Sequence, residues 1–200
     1  LSYILISLIV IFFWIIIPSI SLIIFLIIAS HHFGKEDTQF LIIEDSYLNQ
    51  LLFLFKGSLI ILAPMYFHFD DTISIFKLLL VDNESFYEFL NLIETNKILF
   101  YGIILSTLSS IVLFAKNFEL KKFTIFLDYF SILIVNYFFS PLIAFTIYFC
   151  FLHSVRHSIS LMSELDKNDL TNSLKIFTKK ALPLTILAAI FCFIGLYLLN

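Results

Sequence analysis

The apolar residues of this 200-residue chain lie in long continuous blocks, and this pattern constrains the fold more than any other feature. The blocks run for about 17 to 20 residues, the length at which a helix crosses a hydrocarbon core of ~30 Å. They lack the short alternating pattern of a membrane β-barrel. Only 14% of the residues are charged, against roughly a quarter in a soluble domain. The sequence therefore predicts an all-α, polytopic integral membrane bundle.

Seven apolar segments, spans A to G, are candidate membrane-crossing helices. They cover residues 1–17, 19–33, 51–69, 97–115, 123–139, 141–160 and 181–199. Pro18, Pro141 and Pro183 stand at or near the starts of spans B, F and G, where a missing N–H costs least. Because spans A and B could form one kinked helix, we expect six or seven transmembrane helices. No repeat or low-complexity linker divides the chain, so residues 1–200 are predicted to form a single domain.

Two shorter segments have the pattern of amphipathic helices lying on a bilayer. In "NESFYEFLNLIET", residues 83–95, Ser85 and Glu88 have the spacing of a capping box. The apolar residues at helical spacing in this segment are Phe86, Phe89, Leu90 and Ile93. Residues 169–180 show a second amphipathic pattern, with lysines opposite an apolar face. Both segments are predicted to be interfacial helices.

Several function classes lack their sequence signals. The four glycines form neither a GxGxxG nor a P-loop pattern, so no nucleotide site is expected. Cys150 and Cys192 lie inside apolar runs without CxxC spacing, which argues against a zinc ribbon or a redox pair. The charged residues form no basic stripe, so nucleic acid is not an expected partner.

The basic residues are distributed unevenly between the loops. Ten of the 12 Lys and Arg residues flank one side of the predicted bundle, and only Lys77 and Lys97 flank the other. The positive-inside rule then places the B–C, D–E and F–G loops in the cytoplasm, for a multi-pass protein of the cell's inner membrane. Spans B and F end at this face, so their histidines can meet, whereas His68 is predicted to lie at the opposite face.

The segment "FCFLHSVRHS" places His153 and His157 four residues apart near the end of span F. On a helix this spacing puts both imidazoles on one face, where they can close on one metal ion. Span B can supply another imidazole at the same depth, and such a site suits iron, copper or zinc. The alternative is that these histidines only cap helix ends.

Longer stretches around these histidines resemble the Brp/Blh family of integral membrane enzymes that cleave β-carotene to retinal for microbial rhodopsins. The resemblance is carried by "ASHHFGKED" at 29–37 and "YFCFLHSVRHS" at 148–158, with support from "KGSLIILAPMYFHF" at 56–69 and "LPLTILAAI" at 182–190. It implies a membrane-embedded Fe(2+) dioxygenase that uses O₂ to split the central double bond of β-carotene. The bilayer and a functional link to a rhodopsin are implied with it.

The resemblance also implies roles for individual residues. His32, His153 and His157 match the family's iron ligands, and Asp37 matches the acidic residue that follows its HFG element. His31 is expected to be a neighbour only. The family's first helix carries a further histidine in an HGxxD-like element that this sequence lacks before residue 19. We therefore expect that the coding sequence is truncated upstream and that one more helix, with a further ligand, precedes residue 1.

Four further residues are candidates for roles beside the metal. Thr146, Phe149 and Cys150 precede His153 by seven, four and three residues, so on a regular helix they share its face and could line a substrate tunnel. Ordinary helix packing is the alternative. Asp128 lies at the depth of the histidines in span E and could accept an N–H from a ligating imidazole.

Three other functions compete with the enzyme hypothesis. A small transporter or metal-ion channel could use His32, His153 and His157 as a transit site, although the chain lacks the repeats common in transporters. A di-iron desaturase would need about eight clustered histidines, and only five are present. An accessory subunit with only a structural role predicts that His153→Ala leaves the activity of its complex intact.

Overall fold

The computed structural model describes residues 2–38, 41–42, 46–79, 83–116, 119–165 and 169–199. All regular secondary structure in these ranges is helical, which confirms that the fold is all-α. The α-helices are α1 Ser2–Ile16, α2 Pro18–Glu36, α3 Tyr47–Gly57, α4 Leu59–Phe67, α5 Phe69–Leu78, α6 Glu84–Thr95, α7 Ile98–Ala115, α8 Thr124–Phe138, α9 Pro141–Ile147, α10 Ser154–Leu165 and α11 Leu170–Leu199. A 3₁₀ turn, Leu120–Phe123, precedes α8, and a π-helical turn, Tyr148–His153, joins α9 to α10.

The helices divide into two compact units, residues 1–153 and residues 154–200. The first unit contains α1 to α9 and the π-helical turn, and the second contains α10 and α11. The single domain over residues 1–200 stays a prediction.

Five helical segments in the described part of the chain are long and apolar enough to cross a membrane. They are Pro18–Glu36, Tyr47–Phe67, Ile98–Ala115, Pro141–Ser163 and Thr171–Leu198. They correspond to spans B, C, D, F and G. Helices α1 and α8, in spans A and E, have 15 residues each and so extend only about 22 Å, short of a ~30 Å hydrocarbon core. The predicted count of six or seven is therefore not confirmed.

Helix α11 corrects the predicted boundary at Pro183. The sequence predicts an interfacial helix over 169–180 and a separate span G, but one 30-residue helix covers both, with Pro183 inside it. The Asp169 carboxylate caps its start by accepting from the backbone N–H groups of Thr171 and Asn172. Proline removes one intrahelical hydrogen bond, and the regular bonds on both sides outweigh this loss.

Helix α6 has a different cap from the predicted one. The side chain of Asn83, not of Ser85, accepts the N–H of Phe86 at 3.1 Å. Phe86 and Leu90 of the predicted apolar face are buried, whereas Phe89 is 53% exposed. The buried pair belongs to a core cluster with residues of α2, α4 and α5. Helix α5, which follows His68 directly, was not predicted, because the sequence analysis ended span C at residue 69 without another helix.

Helices α2 and α3 approach each other closely at two glycines. A Cβ on Gly34 would overlap the carbonyl oxygen of Phe53 in α3, and a Cβ on Gly57 would overlap the carbonyl oxygen of Ser30 in α2. Small residues that let helix backbones touch are the usual means of helix association in membranes. This contact fixes the end of α2, which carries His32 and Asp37, against the rest of the first unit.

Replacing either glycine tests this packing. Gly34→Ala and Gly57→Ala force backbone atoms apart, so each should destabilise the folded protein by at least the ~1 to 3 kcal/mol typical of overpacking. Thermal unfolding of the protein in detergent, followed by circular dichroism, measures the loss. Gly195→Ala in α11 is the matched control, because no described atom lies within 4 Å of the added Cβ. Wild-type stability of Gly34→Ala would contradict the close approach.

Candidate active site

His32 and His153 come together in the first unit. His32 lies on α2 and His153 ends the π-helical turn, and their ring centroids are 5.7 Å apart. The ring of Phe33 packs edge-on against the His153 ring at 4.8 Å and 89°. His153 is 5% exposed. Two imidazoles from distant parts of the chain therefore lie side by side, as the sequence predicts for residues 32 and 153.

Asp37 holds the His153 ring. It follows the last turn of α2, is 2% exposed, and places Oδ1 3.1 Å from His153 Nδ1. An ionised carboxylate only accepts hydrogen bonds, so the imidazole donates through Nδ1. In the neutral ring, Nε2 then keeps its lone pair. A histidine bound to a metal commonly has this arrangement, in which a carboxylate fixes the tautomer and orientation of the ring.

Tyr148 completes the arrangement around Asp37, and the sequence analysis missed it. Its hydroxyl donates to Asp37 Oδ2 at 2.6 Å, and the residue is 3% exposed. Both carboxylate oxygens of Asp37 are thus occupied, one by a phenol and one by an imidazole. No spacing rule for a regular α-helix would have placed Tyr148 beside His153, because the two are five residues apart.

The other predicted ligand, His157, and the other predicted carboxylate, Asp128, belong to other helices. His157 is on α10, in the second unit, one helical turn beyond His153 in sequence. Asp128 is buried in α8 with 6% exposure. Within the described ranges, no three His, Cys, Asp or Glu side chains are grouped so that they could hold a metal ion. The described geometry thus brings two imidazoles together, fewer than the four ligands of a four-coordinate metal site.

Two other histidines are engaged by different polar groups. His31 donates from Nε2 to Gln50 Oε1 at 2.7 Å. His68 donates from Nε2 to the backbone carbonyl of Asn136 at 2.9 Å. His31 is therefore bonded to α3 although it is adjacent to His32 in the sequence.

An apolar cavity of about 420 Å³ opens beside the histidine pair. This volume is within the usual range for small-molecule sites, ~300 to 1,000 Å³. Residues of α2, α4, α5, α8, α9 and the π-helical turn line it, among them Leu22, Ala29, His32, Phe33, Ile60, Pro64, Phe76, Asn136, Phe145 and Tyr148. The cavity can take a long hydrophobic molecule with one of its parts next to the His32 imidazole.

The three predicted tunnel residues are not in this wall. From the same stretch of chain, Phe145 and Tyr148 line the cavity. Phe149 instead stacks on the His153 ring, with centroids 5.7 Å apart at 28°. Thr146 donates its hydroxyl to the carbonyl of Leu142, and Cys150 is an exposed free thiol. A tunnel role for Thr146, Phe149 and Cys150 stays a prediction.

Comparison with known proteins identifies the family. A family model described as beta-carotene 15,15'-dioxygenase matches residues 1–200. No curated protein sequence and no solved structure is significantly similar to the chain. The matched region includes both histidine segments, the Asp37 carboxylate and the apolar cavity. The chain belongs to the beta-carotene 15,15'-dioxygenase family.

Proposed function

We propose that this protein is a membrane-embedded, non-haem iron(II) oxygenase that cleaves β-carotene with O₂ at its central double bond. The products are two molecules of all-trans retinal, which supply the chromophore of a microbial rhodopsin. The observation that carries the proposal is the His32–His153 pair, in which His32 lines an apolar cavity and His153 is bonded to Asp37. Membership of the family supplies the substrate class.

The iron would be held by His32, His153 and His157. The first two already lie side by side, and the buried carboxylate of Asp37 leaves Nε2 of His153 with its lone pair. His157 follows His153 by four residues, the spacing at which two imidazoles on a helix can share a metal ion. Neutral imidazole is a donor suited to iron(II), and bound iron supplies the activation of O₂.

The side chains around the pair prepare the substrate for this chemistry. β-Carotene dissolves in the bilayer, so we propose that it enters sideways from lipid into the apolar cavity. There Phe33, Phe145 and Tyr148 present ring surfaces to the polyene and exclude water. Asp128 would accept an N–H from a ligating imidazole. Thr146, Phe149 and Cys150 would line the substrate tunnel near the metal. Because both atoms of O₂ end in the two aldehydes, the reaction needs no external reductant.

The inner membrane is the proposed location. Five described helices could cross a bilayer, and the excess of Lys and Arg on one side of the predicted bundle orients the chain. This orientation puts His32, His153 and His157 near the cytoplasmic face. Retinal would then be released into the same membrane in which a rhodopsin folds.

Expression in cells that accumulate β-carotene tests the reaction. We expect the cells to bleach and retinal to appear on chromatography, in a ratio of about two retinals per β-carotene lost. Protein folded in the membrane, with the carotenoid colour unchanged, would contradict the proposal. Iron uptake by the cells without bleaching would instead favour a transporter that uses the histidines as a transit site.

Variants of adjacent histidines test the ligand set. His32→Ala, His153→Ala and His157→Ala each remove one proposed donor, so cleavage should fall by more than about 100-fold and the iron content of the purified protein should drop. His31→Ala is the matched control, because His31 is adjacent to His32 in the sequence but donates to Gln50 and is not a proposed ligand. His68→Ala should also be tolerated. Equal losses at residues 31 and 32 would overturn the assignment.

A further inference from the structure

The π-helical turn over Tyr148–His153 changes which residues of this segment share a face. In an α-helix, with 3.6 residues per turn, residues five apart point about 140° away from each other. In a π-helix the backbone hydrogen bonds join residues i and i+5, so residues five apart lie on the same side of the helix. Tyr148 and His153 have this separation. The wider turn therefore directs both side chains to one side.

Both side chains reach the same carboxylate. Tyr148 donates its hydroxyl to Asp37 Oδ2 at 2.6 Å, and His153 Nδ1 lies 3.1 Å from Asp37 Oδ1. All three residues are at least 95% buried. Burying a polar group without a hydrogen-bond partner costs free energy. Each of the three side chains therefore restrains the other two. With Oδ2 bound to the phenol, the carboxylate cannot rotate without breaking this bond, and Oδ1 stays directed at His153.

The ring of Tyr148 also forms part of the cavity wall. It packs against Phe33 at 5.7 Å and 86°, and it lies 6.1 Å from the His153 ring at 31°. One residue therefore contacts the space that the hydrophobic molecule would occupy and, through its hydroxyl, the carboxylate that orients an imidazole.

We propose that Tyr148 is a positioning residue whose hydroxyl fixes Asp37, and through Asp37 the tautomer and direction of the His153 imidazole, while its ring seats the hydrophobic substrate beside that imidazole. The proposal deepens the proposed function and, for its substrate part, rests on it. A purely structural tyrosine would only fill the core and satisfy a buried carboxylate. The two roles differ in what they predict for His153.

Tyr148→Phe is the discriminating variant, because it removes the hydroxyl and keeps the ring. Tyr129→Phe is the matched control: Tyr129 is buried in the same core cluster, and its hydroxyl bonds to Thr107 instead of Asp37. Either variant removes one buried phenol hydrogen bond. Only Tyr148→Phe should change the tautomer populations of the His153 ring.

The state of His153 can be read without metal or substrate. In metal-free protein labelled with ¹⁵N-histidine in detergent micelles, two-bond ¹H–¹⁵N spectra report the tautomer of each ring, and His153→Gln identifies the signals of residue 153. We expect His153 to be held in the Nδ1–H form in the wild type and in Tyr129→Phe. In Tyr148→Phe its signals should shift toward a mixture of tautomers. Unchanged His153 signals in Tyr148→Phe would overturn the proposal.

Metal binding and kinetics give the second readout. Titration with Co²⁺, followed by its visible absorption, should show about tenfold weaker binding in Tyr148→Phe, the lower end of the range for residues that support metal ligands. The kcat for β-carotene should fall while KM changes less than about twofold, whereas Tyr148→Leu should also raise KM. In an Asp37→Asn background the Tyr148→Phe change should have no further effect on Co²⁺ affinity, and additive losses would overturn the proposal.

The two proposals fail differently. A wild type that does not cleave β-carotene, but whose His153 signals respond to Tyr148→Phe and not to Tyr129→Phe, would refute the proposed function and support the positioning of His153. A wild type that cleaves β-carotene, with His153 signals and Co²⁺ affinity indifferent to Tyr148→Phe, would refute the role of Tyr148 alone.

Discussion

The buried carboxylate of Asp37 is the interaction on which the rest of the site depends. It joins the end of α2 to side chains more than a hundred positions later in the chain, through one bond to Tyr148 and one to His153. Leaving such a group unpaired in an apolar interior would cost several kcal/mol. The two segments are therefore held together by the hydrogen bonds of Asp37 as well as by packing. The side-by-side placement of His32 and His153 follows from these contacts.

Much of the site could be predicted from the sequence because its parts belong to short segments. The HFG segment places His32 five residues before Asp37, and the HSVRH segment contains His153, so a resemblance to a family in both segments was enough to pair them. Tyr148 was missed because the prediction assumed 3.6 residues per turn throughout span F. That period puts Thr146, Phe149 and Cys150 on the face of His153, whereas the π-helical turn brings Tyr148 there. No residue pattern in this segment predicts a π-helical turn.

The fold was predictable to a similar extent and for a similar reason. Hydrophobic length located the five helices that could cross a membrane, since burial of backbone polar groups in lipid leaves few alternatives to a helix. Composition alone does not say where a helix continues. Pro183 was treated as a start, yet it lies within α11, and the cap of α6 is Asn83 because its side chain reaches the N–H of Phe86. These choices depend on local hydrogen bonds, which hydropathy does not resolve.

A single turn of α2 connects the packing of the bundle to the site. Gly34 follows His32 by two residues, so on a helix with about 100° per residue the two positions point roughly 200° apart. Gly34 lies against the backbone of α3, where even a methyl group would not fit, and His32 is consequently turned toward the cavity on the opposite side. Because the glycine contact leaves the helix no freedom to rotate, the imidazole is presented to the apolar space by packing. The proposed placement of a polyene beside a metal would depend on both that rigid presentation and the Asp37 bonds, and residues 32–37 contribute to both.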